Sequence, residues 1–279
     1  MVCMNLNCRS INNKIGTVQL LVLQEKVDIL ALTETWLTED DPHANQFCLE
    51  GYVFQHKPRI KKRGGGVGIL CKQNCFIRRK EVFNYNYFEC ICAIIQVNGK
   101  NISFYVLYRP YKKQEFYDEF EHFIVNYVIA DELVLITGDM NAHFEDENDL
   151  DVRHINNILY AYGLKQWVNE SSHIGGHTLD FIITYEESPI FDDYQIMDPG
   201  LSDHFALVFC IMQSKSCDVS NITVNDYTAF KGAQFKEHIH TLNIYPMPSN
   251  TDEFLNSIYQ ILKDLASIFT KKKTNKTCG

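Results

Sequence analysis

Short apolar runs that end in polar residues recur along this chain, and their periods predict alternating strands and helices. Residues 2–6 (VCMNL) read as a strand; Ile15, Val18 and Leu21 or Val22 then repeat at helical spacing as far as Glu25, with Asn12 and Asn13 placed to cap the helix. Residues 27–33 (VDILALT) form the next strand. Parallel neighbours end on the same side of a sheet, so this unit brings Asn7 and Glu34 to one rim. Strands follow at residues 52–56, 66–71, 76–83, 88–97 and 102–108, with Asn98 and Gly99 as a hairpin turn. A helix carrying Phe116, Phe120, Phe123 or Ile124 and Tyr127 leads to residues 133–141; a further helix spans 152–162, and strands close the pattern at 177–183 and 205–210. The order predicts an α/β fold, a four-layer α/β/β/α sandwich of two packed mixed sheets with helices outside.

The stretch 133–141 (LVLITGDMN) delivers Asp139 and Asn141 two residues apart, on one side of an extended backbone, behind a glycine that lets the chain turn. A carboxylate that deprotonates water, beside an amide that orients it or a phosphate, suits phosphoester hydrolysis. Gly-Asp-x-Asn also makes an ordinary strand-to-loop turn in which both side chains bond the backbone. What shifts the balance is repetition: Asn7, Glu34, Tyr108, Asp180, Asp203 and His204 also stand at or beside strand ends.

At 279 residues, 46% hydrophobic and 22% charged, the chain is long enough for one large α/β domain with an appendage. Composition changes after residue 212: residues 214–225 are polar, 253–269 are helix-like, and lysines crowd the end. A domain over 1–213 and a partly helical tail over 214–279 are therefore expected. No run approaches the roughly 18 apolar residues of a membrane span, and residues 1–10 lack a signal-peptide pattern. No membrane partner and an intracellular location, in the nucleus, are expected; oligomeric state is not legible. Ten cysteines without a Cys-x-x-Cys pair or zinc spacing fit reduced thiols, with Cys90 and Cys92 packing in a core.

A net charge of -9 argues at first against a nucleic-acid partner. Between residues 57 and 80, however, every formally charged side chain is basic, including Lys61, Lys62 and Arg63 ahead of Gly64, Gly65 and Gly66. The glycines lack the Lys-Ser/Thr that would complete a nucleotide loop, so a tight or flexible turn into the next strand is the better reading.

The stretches NCRSI from Asn7, TETWL from Thr33, RGGGV from Arg63, LYRP from Leu107, GDMNA from Gly138, TLDF from Thr178 and LSDHF from Leu201 resemble the endonuclease/exonuclease/phosphatase superfamily. Within it, they resemble the endonuclease domain of non-LTR (LINE-type) retrotransposons. The resemblance covers roughly residues 1–212, and the tail is similar to the connector before a reverse transcriptase, although no polymerase follows. It implies a DNase-like sandwich and a metal-dependent DNA-nicking endonuclease using Mg2+, with Mn2+ as a substitute. Glu34 would hold the ion with help from Asn7 and Asp203. Asp139, oriented by Asn141, would activate water, His204, held by Asp180, would stabilise the phosphorane, and Tyr108 would touch the scissile phosphate. Lys61, Lys62, Arg63 and Arg109 are the expected nucleic-acid contacts. Alternatives are an apurinic-type repair endonuclease or another phosphodiesterase of the superfamily, and a non-catalytic nucleic-acid-binding relic. Tyr111 stands where apurinic endonucleases carry an amide, which weighs against the repair reading.

Overall fold

The computed structural model describes residues 1–59, 64–211, 222–226 and 271–275. The chain divides into two compact units, Met1–Gln213 and Ser214–Gly279. The first runs β1 (Val2–Asn7), α1 (Ile15–Gln24), β2 (Ile29–Thr33), α2 (Pro42–Phe47), β3 (Tyr52–Lys57), β4 (Val67–Lys72), β5 (Phe76–Lys80), β6 (Glu89–Val97), β7 (Lys100–Tyr108) and α3 (Glu115–Phe123). It continues through a π-helical turn (Ile124–Val128), β8 (Val134–Asp139), α4 (Leu150–Ala161), β9 (Leu164–Gln166), β10 (Asp180–Tyr185), β11 (Phe191–Met197) and β12 (Ala206–Ile211). In the second unit, β13 (Ile222–Asp226) pairs antiparallel with β14 (Lys271–Asn275). The helix-like segment 253–269 lies outside the described residues.

The strands of the first unit form two six-stranded sheets, ordered β11-β12-β1-β2-β4-β3 and β5-β6-β7-β8-β10-β9. Each is mixed. In each, the parallel pair is the one joined through a helix, β1 and β2 through α1, β7 and β8 through α3, because a parallel return needs a crossover. Alternate residues then serve different layers. Ile29 and Ala31 meet Ile91, Phe104 and Val106 between the sheets, whereas Leu30 and Leu32 pack under Val18, Val22 and Phe47 of the outer helices. On the other side Tyr105, Leu107 and Ile136 pack against Phe116, Phe120 and Ile155. Strands buried on both faces must be apolar at nearly every position, which is why they read as runs in the sequence. The expected four-layer sandwich is the observed one.

Several details differ from the sequence expectation. Helix α1 begins behind Lys14 without a side-chain cap, so Asn12 and Asn13 do not cap it. Helix α2 was not expected, although Asp41, which accepts from the His43 N–H, and Pro42 at the first turn are a start signal. Edge strand β11 was also missed; its exposed Asp192 and Asp193 break the apolar pattern. Gly138 lies inside β8 rather than at a turn. Its φ of +143° and the 1.9 Å that would separate an added Cβ from the Leu107 carbonyl oxygen make it the point where β8 presses against β7. Cys90 and Cys92 are buried in the outer core, as expected. Among the described residues no helix is long and apolar enough to cross a membrane.

Candidate active site

Register places the chemistry in rows. Tyr108 pairs with Asp139 and Asp139 with Asp180, so three polar side chains stand abreast at one edge of the second sheet. Strand β1 of the first sheet faces them with Asn5 and Asn7, two residues apart and therefore on the same side. His204 arrives just ahead of β12, antiparallel to β1. Asn5, Asn7, Asp139 and Asp180 are all fully buried, and a buried polar group is costly unless it is bonded. The Asn7 amide donates to Asp139 Oδ2 at 2.8 Å and to Glu34 Oε1 at 3.0 Å. The Asn5 amide donates to Asp180 Oδ1 and to the Gly138 carbonyl, each at 3.2 Å. The other Asp180 oxygen holds His204 Nδ1 at 2.8 Å. The Asn141 N–H donates to Asp139 Oδ1 at 2.8 Å.

Glu34 sits in a left-handed conformation (φ +52°), followed by Trp36 in another (φ +57°). The glycine loop holds this turn: the Thr35 N–H donates to the Gly66 carbonyl and the Trp36 N–H to that of Gly65. A Cβ on Gly66 would come within 2.6 Å of Thr35 Oγ1. The glycines therefore let one loop lie against the turn that presents Glu34, a use the sequence did not reveal. The Glu34 carboxylate accepts from Asn7 at 3.0 Å and from Trp36 Nε1 at 3.2 Å.

Burial and then the neighbouring Glu34 and Asp139 charges push the Tyr108 hydroxyl far above its usual range, so it stays a proton donor. Burial also raises the Asp139 carboxyl, helped by Asp180 and opposed by His204. For His204, burial favours the neutral ring, but Asp180 outweighs it and the imidazole rises to about 9. At neutral pH His204 is an imidazolium locked to Asp180, and burial holds the Asp139 carboxyl above its ordinary range.

Of the expected ligands, Glu34 is the one whose surroundings suit a hard dication. Glu34 is held by amide and indole donors and pairs with no cation among the described residues, so its charge is available to an ion. Asn7 does not fit the ligand role expected of it: its NH2 faces the carboxylates and its carbonyl accepts the Arg9 N–H at 3.0 Å, so it bridges Glu34 and Asp139 as a donor. Asp203 already pairs with Arg9 at 2.5 Å and lies 3.6 Å from His173. Arg109, expected at the nucleic-acid surface, is fully buried. It forms a two-pronged ion pair with Asp151 at 2.8 and 2.5 Å, donates to the Met140 carbonyl, and lies over the Phe116 ring. It is a brace beneath the Asp139–Asn141 corner and cannot reach DNA. Lys61, Lys62 and Arg63 lie outside the described residues. The sequence reading also missed Asn5, Arg9, Trp36 and His173. For Asn5 the two-residue spacing from Asn7 was the available signal.

A profile of the Endonuclease/Exonuclease/phosphatase family matches residues 4–204. No curated protein sequence matches the chain. Among solved structures, an AP endonuclease from Archaeoglobus fulgidus superposes with a TM-score of 0.60 at 17% identity, covering 76% of this chain and 99% of that one. The endonuclease domain of TRAS1, a telomere-specific non-LTR retrotransposon, gives 0.62 at 14% identity, covering 77% and 99%. The 3′ phosphatase NExo from Neisseria, bound to a product DNA hairpin, gives 0.57 at 16% identity, covering 76% and 99%. At such identities the likeness is one of fold, and it matches the resemblance read from the motifs.

Removing Arg109 tests the brace. Arg109→Ala leaves Asp151 buried without its partner and is expected to cost about 3–5 kcal/mol, read by chemical denaturation. The pair holds the Asp151 carboxyl below its ordinary value of 3.8: burial would raise it, but the Arg109 bond and charge prevail. A depressed carboxyl stabilises the fold above the unfolded-state value and loses that contribution as pH falls through the folded one. The stability gap between wild type and variant should therefore narrow below about pH 4; a gap independent of pH would contradict the assignment.

Proposed function

Because the chain belongs to the endonuclease/exonuclease/phosphatase family, we propose that it is a divalent-metal-dependent phosphodiester hydrolase that nicks DNA, of the kind found in non-LTR retrotransposons. The observation that carries this reading is the bonded seam in which Asn7 joins Asp139 to Glu34 while Asp180 holds His204. An intact set of Asp139, Glu34, Asp180 and His204 in one seam favours an enzyme over a non-catalytic relic. In this reading Glu34 anchors the ion, with Asp203 as a weaker contributor because Arg9 already neutralises it. A bound Mg2+ would polarise a phosphate oxygen and offset developing charge.

The chain's own groups divide the remaining work. Asp139 takes the proton of the attacking water, since a carboxyl raised toward neutrality is a better base than an ordinary one. The Asn141 N–H fixes one of its oxygens and leaves the other directed toward the seam. His204 is charged at neutral pH and therefore acts as a donor to the phosphorane oxygen rather than as a base. Asp180 keeps that ring oriented and charged. Tyr108 supplies a neutral hydroxyl donor beside Glu34. Residues 1–213 carry this chemistry and 214–279 serve as a connector. Lys61, Lys62 and Arg63 supply the positive field that an acidic protein needs to meet a polyanion.

Plasmid nicking in Mg2+ tests the assignments. Asp139→Asn and His204→Ala should each slow nicking on the order of 10²-fold or more while circular dichroism is unchanged. Glu34→Gln should raise the Mg2+ concentration needed, because an amide is a poorer ligand for a hard dication. Near-native rates in either of the first two variants would remove those roles, and an unshifted metal titration would remove Glu34 from the site. A folded 1–213 chain that fails to nick would overturn the division of labour.

The DNA partner has a separate test. Replacing Lys61, Lys62 and Arg63 together with Ser should weaken duplex binding and flatten the log affinity against log salt slope by about two to three. An unchanged slope would leave that stretch without phosphate contacts.

A further inference from the structure

Beside the seam, on the loops that follow β8 and precede β10, stands a second group of ligating side chains that the hydrolytic chemistry does not use. Glu145 Oε2 is pinned by the Thr178 N–H at 2.9 Å. Its other oxygen lies 2.8 Å from His177 Nδ1 and 3.2 Å from His143 Nδ1. The two imidazole rings are 4.2 Å apart, tilted at 56°, and the three ligand atoms all lie within 4.8 Å of one another. We propose that His143, Glu145 and His177 bind a divalent transition-metal ion of the Zn2+ class.

Bond lengths of about 2.0–2.2 Å in a tetrahedral site separate neighbouring ligand atoms by roughly 3.3 Å. The two carboxylate-to-imidazole separations, 2.8 and 3.2 Å, lie close to that value. His177 Nδ1 is hydrogen-bonded to one carboxylate oxygen and His143 Nδ1 lies near the same oxygen, and the Thr178 contact fixes the carboxylate without using that oxygen. The side chains remain between 31% and 41% exposed, so an ion has a route in and a fourth position open to water. Two imidazoles and one carboxylate favour Zn2+ over Mg2+, which prefers oxygen ligands and gives up its water reluctantly. The two centres are thus chemically sorted: oxygen donors around Glu34, nitrogen donors here. An ordinary His177–Glu145 hydrogen bond with His143 beside it is the competing account, and it predicts no ion.

Calorimetric titration of Zn2+ into the full chain, in excess Mg2+ to load the oxygen-donor centre, decides between them. Wild type, the double variant His143→Ala with His177→Ala, and Glu145→Gln share every cysteine and every residue of the seam, so differences report on this cluster alone. The double variant should bind one equivalent fewer than wild type. Glu145→Gln should bind that equivalent at least about tenfold more weakly, since even outer-sphere changes cost metal sites that much. Equal stoichiometry and affinity across the three folded proteins would overturn the site.

Discussion

The hydrogen bonds that cross between the two sheets are the constraint on which the site depends. Two aspartates at the inner edge of a sandwich would be intolerable in an apolar layer, because desolvating a carboxylate costs several kcal/mol even after relaxation. Asn7 bonds Asp139, while Asn5 and His204 bond Asp180. The two asparagines lie on one strand and the two aspartates on adjacent strands of the opposite sheet, so the contacts form only when the sheets are packed in a single register. The same bonds that make the aspartates tolerable therefore fix the spacing between β1 and the pair β8 and β10.

Around this seam the backbone is held in costly conformations. Five of the seven non-glycine residues with positive φ among the described residues, Arg9, Ser10, Glu34, Trp36 and Asn141, belong to the loops that carry the site. Each left-handed residue costs on the order of 1 kcal/mol or more unless its surroundings impose it. Here they do: the Ser10 N–H donates to the Glu34 carbonyl, the Ile11 N–H to that of Thr35, and the glycine loop closes the other side. Asn141 is held by its bonds to Asp139 and to the Arg109 carbonyl. Strain concentrated on presenting groups, backed by a dense hydrogen-bonded frame, is the arrangement of a preorganised site.

Arg109 illustrates how a charge can be misread. It follows Tyr108 at a strand end, where a cation beside a phosphate site reads naturally as a substrate contact. Folding instead turns it inward, where its planar fork matches Asp151 and two backbone carbonyls. The Tyr117 hydroxyl completes the pair at 2.8 Å from Asp151. Its effect on the chemistry is indirect, through the backbone that follows Asp139.

The linear chain by itself determined the layer order, because strands buried on both faces must be apolar throughout and the outer helices must carry one apolar stripe. It also determined which residues stand at strand ends, since Asn7, Glu34, Tyr108, Asp139, Asp180 and His204 interrupt those runs. The family was legible from the same interruptions. Only the tertiary structure decided which of these residues meet: pairing across two sheets depends on register and packing, and neither leaves a local periodic trace. It likewise turned Asn7 into a bridging donor, Arg109 into a buried brace and the glycine run into a seat for the Glu34 turn. His143 and Glu145 approach His177 from more than thirty positions away in sequence, which no spacing rule for metal ligands could have anticipated.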